Sequence, residues 1–110
     1  MKITLITGAA SGLGKSFAKL YAKDNNNLLL VDIDEENLLK TKEEFEKEFS
    51  LIKIDTLVAD LNKVEELKKV YNYTLEKEYF VNNSIFSTLS LPFYSLFLTL
   101  YIVLILKNPT

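Results

Sequence analysis

The chain has 110 residues, a formal net charge of −2, and neither cysteine nor histidine. This length allows one domain with a modest core. The missing residues exclude disulfides, thiol catalysis and most transition-metal chemistry, so no metal site is expected. The slightly acidic balance carries no electrostatic footprint for nucleic acid. The apolar run after Lys2 is too short for a secretory leader, so a cytoplasmic chain is expected.

Ile3, Leu5 and Ile6, with Thr4 and Thr7 between them, predict a short strand that turns at Gly8. A helix opens near Gly12 and runs to about Lys23, with Leu13, Phe17, Leu20 and Tyr21 as its expected inner face. The cluster Asp24, Asn25, Asn26 and Asn27 is a turn. Leu28 to Val31 then form an uninterrupted apolar run, the pattern of a strand covered on both faces. Asp34 predicts the cap of a second helix that buries Leu38, Phe45 and Phe49 and solvates Glu43, Glu44, Glu46 and Glu48. Leu51 to Val58 is the third strand. Asn62 and Glu65 form a capping-box variant for a third helix with Val64, Leu67, Tyr71, Thr74 and Leu75 buried. Tyr79, Phe80 and Val81 begin a fourth strand. The alternation predicts an α/β fold with a parallel sheet and right-handed crossovers over residues 1–83.

Residues 84–110 differ in character. From Ile85 to Leu106 there are 22 residues without a charge, a length that matches a bilayer span. Two accounts of this tail stand side by side. It is a membrane helix that anchors the preceding unit, or an out-of-frame remnant that replaced a longer continuation.

The glycines of the first turn carry the chemistry. Gly8 permits the tight turn after the strand, Gly12 lets the main chain approach a phosphate, and Gly14 lets helix and strand pack closely. The helix start adds about half a positive charge and unpaired N–H donors, which favour an anion. A P-loop would need a glycine five positions before Gly14; Ala9 stands there, and Gly8 is one residue too early. The commoner dinucleotide spacing Gly-x-Gly-x-x-Gly fails as well.

Thr7-Gly8-Ala9-Ala10-Ser11-Gly12-Leu13-Gly14 resembles the Thr-Gly-x-x-x-Gly-x-Gly segment of the short-chain dehydrogenase/reductase family. Asp32, 18 residues beyond Gly14, stands where an acidic residue meets the adenosine ribose. Asp60-Leu61 looks like the family's adenine-contacting pair. Val81-Asn82-Asn83 is similar to its Asn-Asn-Ala-Gly segment, with Ser84 and Ile85 replacing alanine and glycine. The resemblance implies a Rossmann-like sheet cut to about four strands in the order 3-2-1-4, with three helices. It implies a dinucleotide cofactor held by Gly8, Ser11, Gly12, Leu13, Gly14, Asp32, Asp60, Leu61 and Asn82. A carboxylate at Asp32 and no basic residue beside it or at Ser11 favour NAD over NADP.

The resemblance covers residues 2–83, about the first third of a family member. The family transfers hydride between nicotinamide and a carbonyl or alcohol carbon, using a serine, a tyrosine and a lysine located beyond the fourth strand. The implied protein is therefore a truncated, inactive oxidoreductase with no catalytic residue of its own, meeting a small-molecule substrate only in a full-length relative. Tyr73 and Lys77 match Tyr-x-x-x-Lys, but they lie in the third helix, where such i, i+4 pairs arise by chance. The alternative is a small membrane-anchored nucleotide-binding protein.

Overall fold

The computed structural model describes residues 1–86. Four strands and three helices alternate: β1 (Lys2–Thr7), α1 (Gly12–Lys23), β2 (Leu28–Asp32), α2 (Glu35–Glu48), β3 (Ile54–Val58), α3 (Val64–Glu76) and β4 (Phe80–Phe86). All strands are parallel, in the order β3-β2-β1-β4, as the alternation and the resemblance require.

The chain steps from β1 to β2 to β3 in one direction, then crosses back to place β4 on the far side of β1. A constant right-handed crossover requires the returning helix to lie on the other face, and the core shows this division. Ile6, Leu28, Leu30 and Ile54 pack with Ala18 and Ala22 of α1 and Leu38 and Phe45 of α2. Ile3, Leu5, Leu29 and Val31 pack with Leu67 and Val70 of α3. Neighbouring residues of β2 thus enter opposite layers, which is why Leu28 to Val31 show no polar alternation.

Four expectations need correction. The sheet-facing side of α1 is Gly14, Ala18 and Ala22, whereas Leu13 and Leu20 are 63% and 60% exposed. Lys15 and Lys19 pair with Glu44 and Glu48 of α2; of the expected inner face, Tyr21 packs half-buried against the core and Phe17 is half-buried. The third strand starts at Ile54, with Leu51 86% exposed before it. The capping box at Asn62 does not form. Asp60 takes the Asn62 N–H on its own Oδ1 at 3.1 Å, an Asx-type turn that moves the cap of α3 to Lys63. Glu66, not Glu65, reaches back, accepting the Asp60 N–H at 3.3 Å. The buried stripe of α3 is then Leu67, Val70 and Thr74, with Val64 and Leu75 exposed. Asp34 caps α2 as expected, accepting the Asn37 N–H.

Of the span expected from Ile85 to Leu106, Ile85 and Phe86 belong to β4, and the remainder lies outside the described residues. Among the described residues no helix is long and apolar enough to cross a membrane.

At the amino edge of the sheet, Tyr73 and Tyr79 both donate to Asp55 Oδ2 at 2.6 Å, tying the edge strand β3 to the end of α3. Burial pushes the Asp55 carboxyl up, but hydrogen bonds from Tyr73, Tyr79 and the Thr56 N–H, with the Lys42 charge, outweigh it. The net result holds the group below its ordinary 3.8. A carboxyl that titrates lower in the fold than in the unfolded chain stabilises fully above its unfolded value, and that contribution disappears as pH falls through the folded one. Asp55→Asn is therefore expected to lower Tm at neutral pH and to flatten its decline between about pH 5 and pH 2. Thermal unfolding of both proteins across that range checks this; parallel curves would remove Asp55 from the acid response.

Candidate functional site

The strand order reverses between β1 and β4, and in open parallel sheets ligands bind beyond the carboxyl ends of the strands at such a switch point. Here β1 delivers Gly8 and Gly12, with φ of 65° and 58°, a left-handed conformation that costs other residues about 1–2 kcal/mol. A Cβ added at Gly12 would have no atom within 4 Å, so the main chain is bare on that side. Gly14, by contrast, is buried, on the face of α1 that carries Ala18 and Ala22.

The start of α1 differs from those of α2 and α3. Ser11 occupies the cap position without a side-chain cap bond, and no acidic residue lies in the first turn. Helix α2 opens with Glu35 and Glu36 behind a capping aspartate, and α3 with Glu65 and Glu66. Among the described helices, only α1 has no acidic residue in its own first turn to oppose an incoming anion.

Asp32 stitches three chain segments together at the end of β2. Its Oδ2 accepts the Ala10 N–H at 2.9 Å, its Oδ1 accepts the Asp34 N–H at 3.0 Å, and its carbonyl accepts the Ala59 N–H at 3.1 Å. A cleft of about 190 Å³ opens there, lined by Gly8, Val31, Asp32, Ile33, Ala59, Asp60, Leu61 and Asn62. Of the residues named for the cofactor, Gly8, Asp32, Asp60 and Leu61 line this cleft together. Val31, Ile33, Ala59 and Asn62 complete the wall, and no sequence motif singles them out for it. Ser11, Gly12 and Leu13 stand exposed on the adjoining turn and helix start. Asn82 is apart from the cleft, the extra residue of a bulge in the β1–β4 pairing, where Ile3 opposes Val81 and Thr4 opposes Asn83. An open depression of about 510 Å³ along α2 is lined only by Lys40, Glu43, Glu44, Lys47 and Glu48, the solvated face of that helix, and does not reach the glycine turn.

Tyr73 and Lys77 lie at the far end of α3. The Lys77 ammonium stands 5.6 Å from the Tyr73 ring centroid. Burial, and then Asp55, raise the Tyr73 phenol above its usual range and push Tyr79 up to about 12. A general base of this kind needs the opposite shift. Among the described residues no group of three His, Cys, Asp or Glu side chains is placed to hold a metal ion.

Residues 2–83 match the family model described as short chain dehydrogenase. The chain belongs to that family. Among its short-chain dehydrogenase relatives, a diacetyl reductase ((S)-acetoin forming) of Staphylococcus epidermidis is 43% identical over 67 residues, which make up 60% of this chain and 26% of that one. A short-chain dehydrogenase of Sphingobium yanoikuyae in complex with NADPH superposes with a TM-score of 0.61 at 30% identity, over 66% of this chain and 28% of that one. One of Burkholderia phymatum in complex with NAD gives 0.62 at 28% identity, over 68% and 26%. The chain spans about a quarter of the length of the diacetyl reductase it matches.

Proposed function

We propose that residues 1–86 seat the adenosine diphosphate half of NAD, as the cofactor-binding part of an oxidoreductase acting on a carbonyl or alcohol. The observation that carries this is the cleft in which the glycine turn, Asp32 and Asp60 meet. In this assignment the pyrophosphate lies against Gly12, Leu13 and Gly14 at the start of α1, with Ser11 beside it and Gly8 shaping the turn. Asp32 accepts the ribose hydroxyls, and its charge repels a 2′-phosphate; the adjacent side chain is Ile33, which offers no positive charge to offset that repulsion. Asp60 and Leu61 border the adenine, and Asn82 belongs to the strand that closes the far side of the switch point.

Bound NAD supplies the hydride acceptor. The chain's own described residues bind and orient it, and hydride transfer itself falls to the family's serine, tyrosine and lysine, which have no counterpart among them. The 110-residue chain is accordingly expected to bind NADH at least about tenfold more tightly than NADPH, and to turn over no ketone or alcohol. Titration calorimetry with both nucleotides, and absorbance at 340 nm with diacetyl and NADH, check the two halves. No heat with NADH overturns the binding assignment, and turnover that Gly14→Val abolishes overturns the inactivity.

The uncharged run from Ile85 to Leu106 favours a second reading of cellular context, a membrane-anchored nucleotide-binding protein. Recovery of the chain in the soluble fraction without detergent counts against it.

A further inference from the structure

The Asp32 carboxylate has a second task. A carboxylate offers about four acceptor positions, and here backbone N–H groups already take one on each oxygen. Ala10 bonds Oδ2 at 2.9 Å across 22 residues of sequence, and Asp34 bonds Oδ1 at 3.0 Å. Ala10 sits in the middle of the glycine turn, between Gly8 and Gly12, both left-handed. Beside it the Ala9 N–H makes a longer contact to the Val31 carbonyl at 3.3 Å, and α1 receives no side-chain cap from Ser11. The turn is therefore held at its centre by the Asp32 side chain.

We propose that Asp32 is a positioning residue for the glycine turn as well as an acceptor for the ribose, so that turn shape and nucleotide selection depend on one side chain. This rests on the proposed cofactor site for its functional consequence, but not for the brace itself. If Asp32 only repelled a 2′-phosphate, removing its charge would improve NADPH binding. If it also braces the turn, removing it slackens the N–H groups on which both nucleotides lie, and neither cofactor gains.

The experiment uses the full 110-residue chain and two variants, Asp32→Ala and Asp32→Asn. Without nucleotide, the Ala10 amide is expected to exchange about tenfold or more faster in Asp32→Ala than in the wild type, the loss expected from removing a charge-assisted hydrogen bond. Leu29 and Leu30 amides of β2 serve as the control for global opening. Asp32→Asn keeps one acceptor oxygen for the two N–H groups, so protection is expected to be retained at one of Ala10 and Asp34 and to fall at the other, because the asparagine amide is a donor. A general structural defect would not divide the two amides in this way. Equal Ala10 exchange in the wild type and in Asp32→Ala, or loss at both Ala10 and Asp34 in Asp32→Asn, overturns the brace.

The second arm measures NADH and NADPH binding. Asp32→Ala is expected to weaken NADH about tenfold or more and to bind NADPH no better than the wild type does; tighter NADPH binding overturns the link between turn and selection. Should the wild type bind neither nucleotide, the cofactor site fails and the link to selection fails with it, while Ala10 exchange still decides the brace.

Discussion

Alanine at Gly12 is expected to weaken NADH binding at least about a hundredfold while lowering the unfolding free energy by only about 1–2 kcal/mol. The two effects separate because of where the added methyl goes. Gly12 has φ 58°, so alanine accepts left-handed strain, yet its Cβ meets no protein atom within 4 Å. Nothing in the core is disturbed. The same open side is where the proposed pyrophosphate lies against the N–H groups of α1. Pushing it away loses charge-assisted hydrogen bonds at about 1.5–3 kcal/mol each. Two of them amount to roughly 3–6 kcal/mol, and each 1.4 kcal/mol is about tenfold in affinity. Gly14→Ala is the contrasting case, since Gly14 is buried on the helix face that carries Ala18 and Ala22, so its cost falls first on stability. Calorimetry with NADH and urea unfolding of Gly12→Ala read the two quantities. Unaltered NADH affinity would mean that no phosphate approaches this turn.

The parallel sheet was legible because β2 declares itself. Four consecutive apolar residues, Leu28 to Val31, bounded by a turn cluster, suit a short strand with both faces covered, and the glycine spacing after Thr7 marked the turn and helix start beyond β1. The inner face of α1 was legible only in part. Counting hydrophobicity favours Leu13, Phe17, Leu20 and Tyr21, of which Tyr21 packs against the core, while the fully buried positions are the small residues Gly14, Ala18 and Ala22. The start of α3 was misplaced as well. Asp60, assigned to the adenine edge, also closes the turn that an Asn62 cap was expected to close. At the site, Asp32 and Asp60 stood out as acids at the ends of strands. Ile33 and Ala59 line the same cleft without distinctive chemistry, and only their adjacency to those acids marks them. The bond between Ala10 and Asp32 joins a main-chain N–H to a side chain 22 residues away, a contact that no local pattern announces.

Phe45→Ala is expected to remove most of the stability of this unit. Phe45 is fully buried between α2 and the sheet and meets Phe49 edge-to-face, with centroids 5.7 Å apart and planes at 88°. Truncating such a phenylalanine costs about 3–5 kcal/mol, including about 0.5–1.5 kcal/mol for the aromatic pair. An ordered unit of this size has a total stability on the order of 5–10 kcal/mol, so the variant should stand close to its unfolding midpoint under conditions where the wild type is folded. Phe45→Leu, which keeps most of the volume, should cost less than about 1.5 kcal/mol. Because a ligand that binds only the folded state stabilises it by about 2.7 kcal/mol at a hundred times its Kd, saturating NADH should restore a large part of what Phe45→Ala loses. Phe45 does not line the cleft, so that rescue would report nucleotide binding through folding alone. Urea unfolding of the wild type and both variants, with and without NADH, measures all of these. A midpoint for Phe45→Ala equal to that of the wild type would mean that α2 does not cover β2 and β3 as described. Stability that returns with NADH in Phe45→Ala but not in a Gly12→Ala, Phe45→Ala double variant would tie the rescue to the glycine turn.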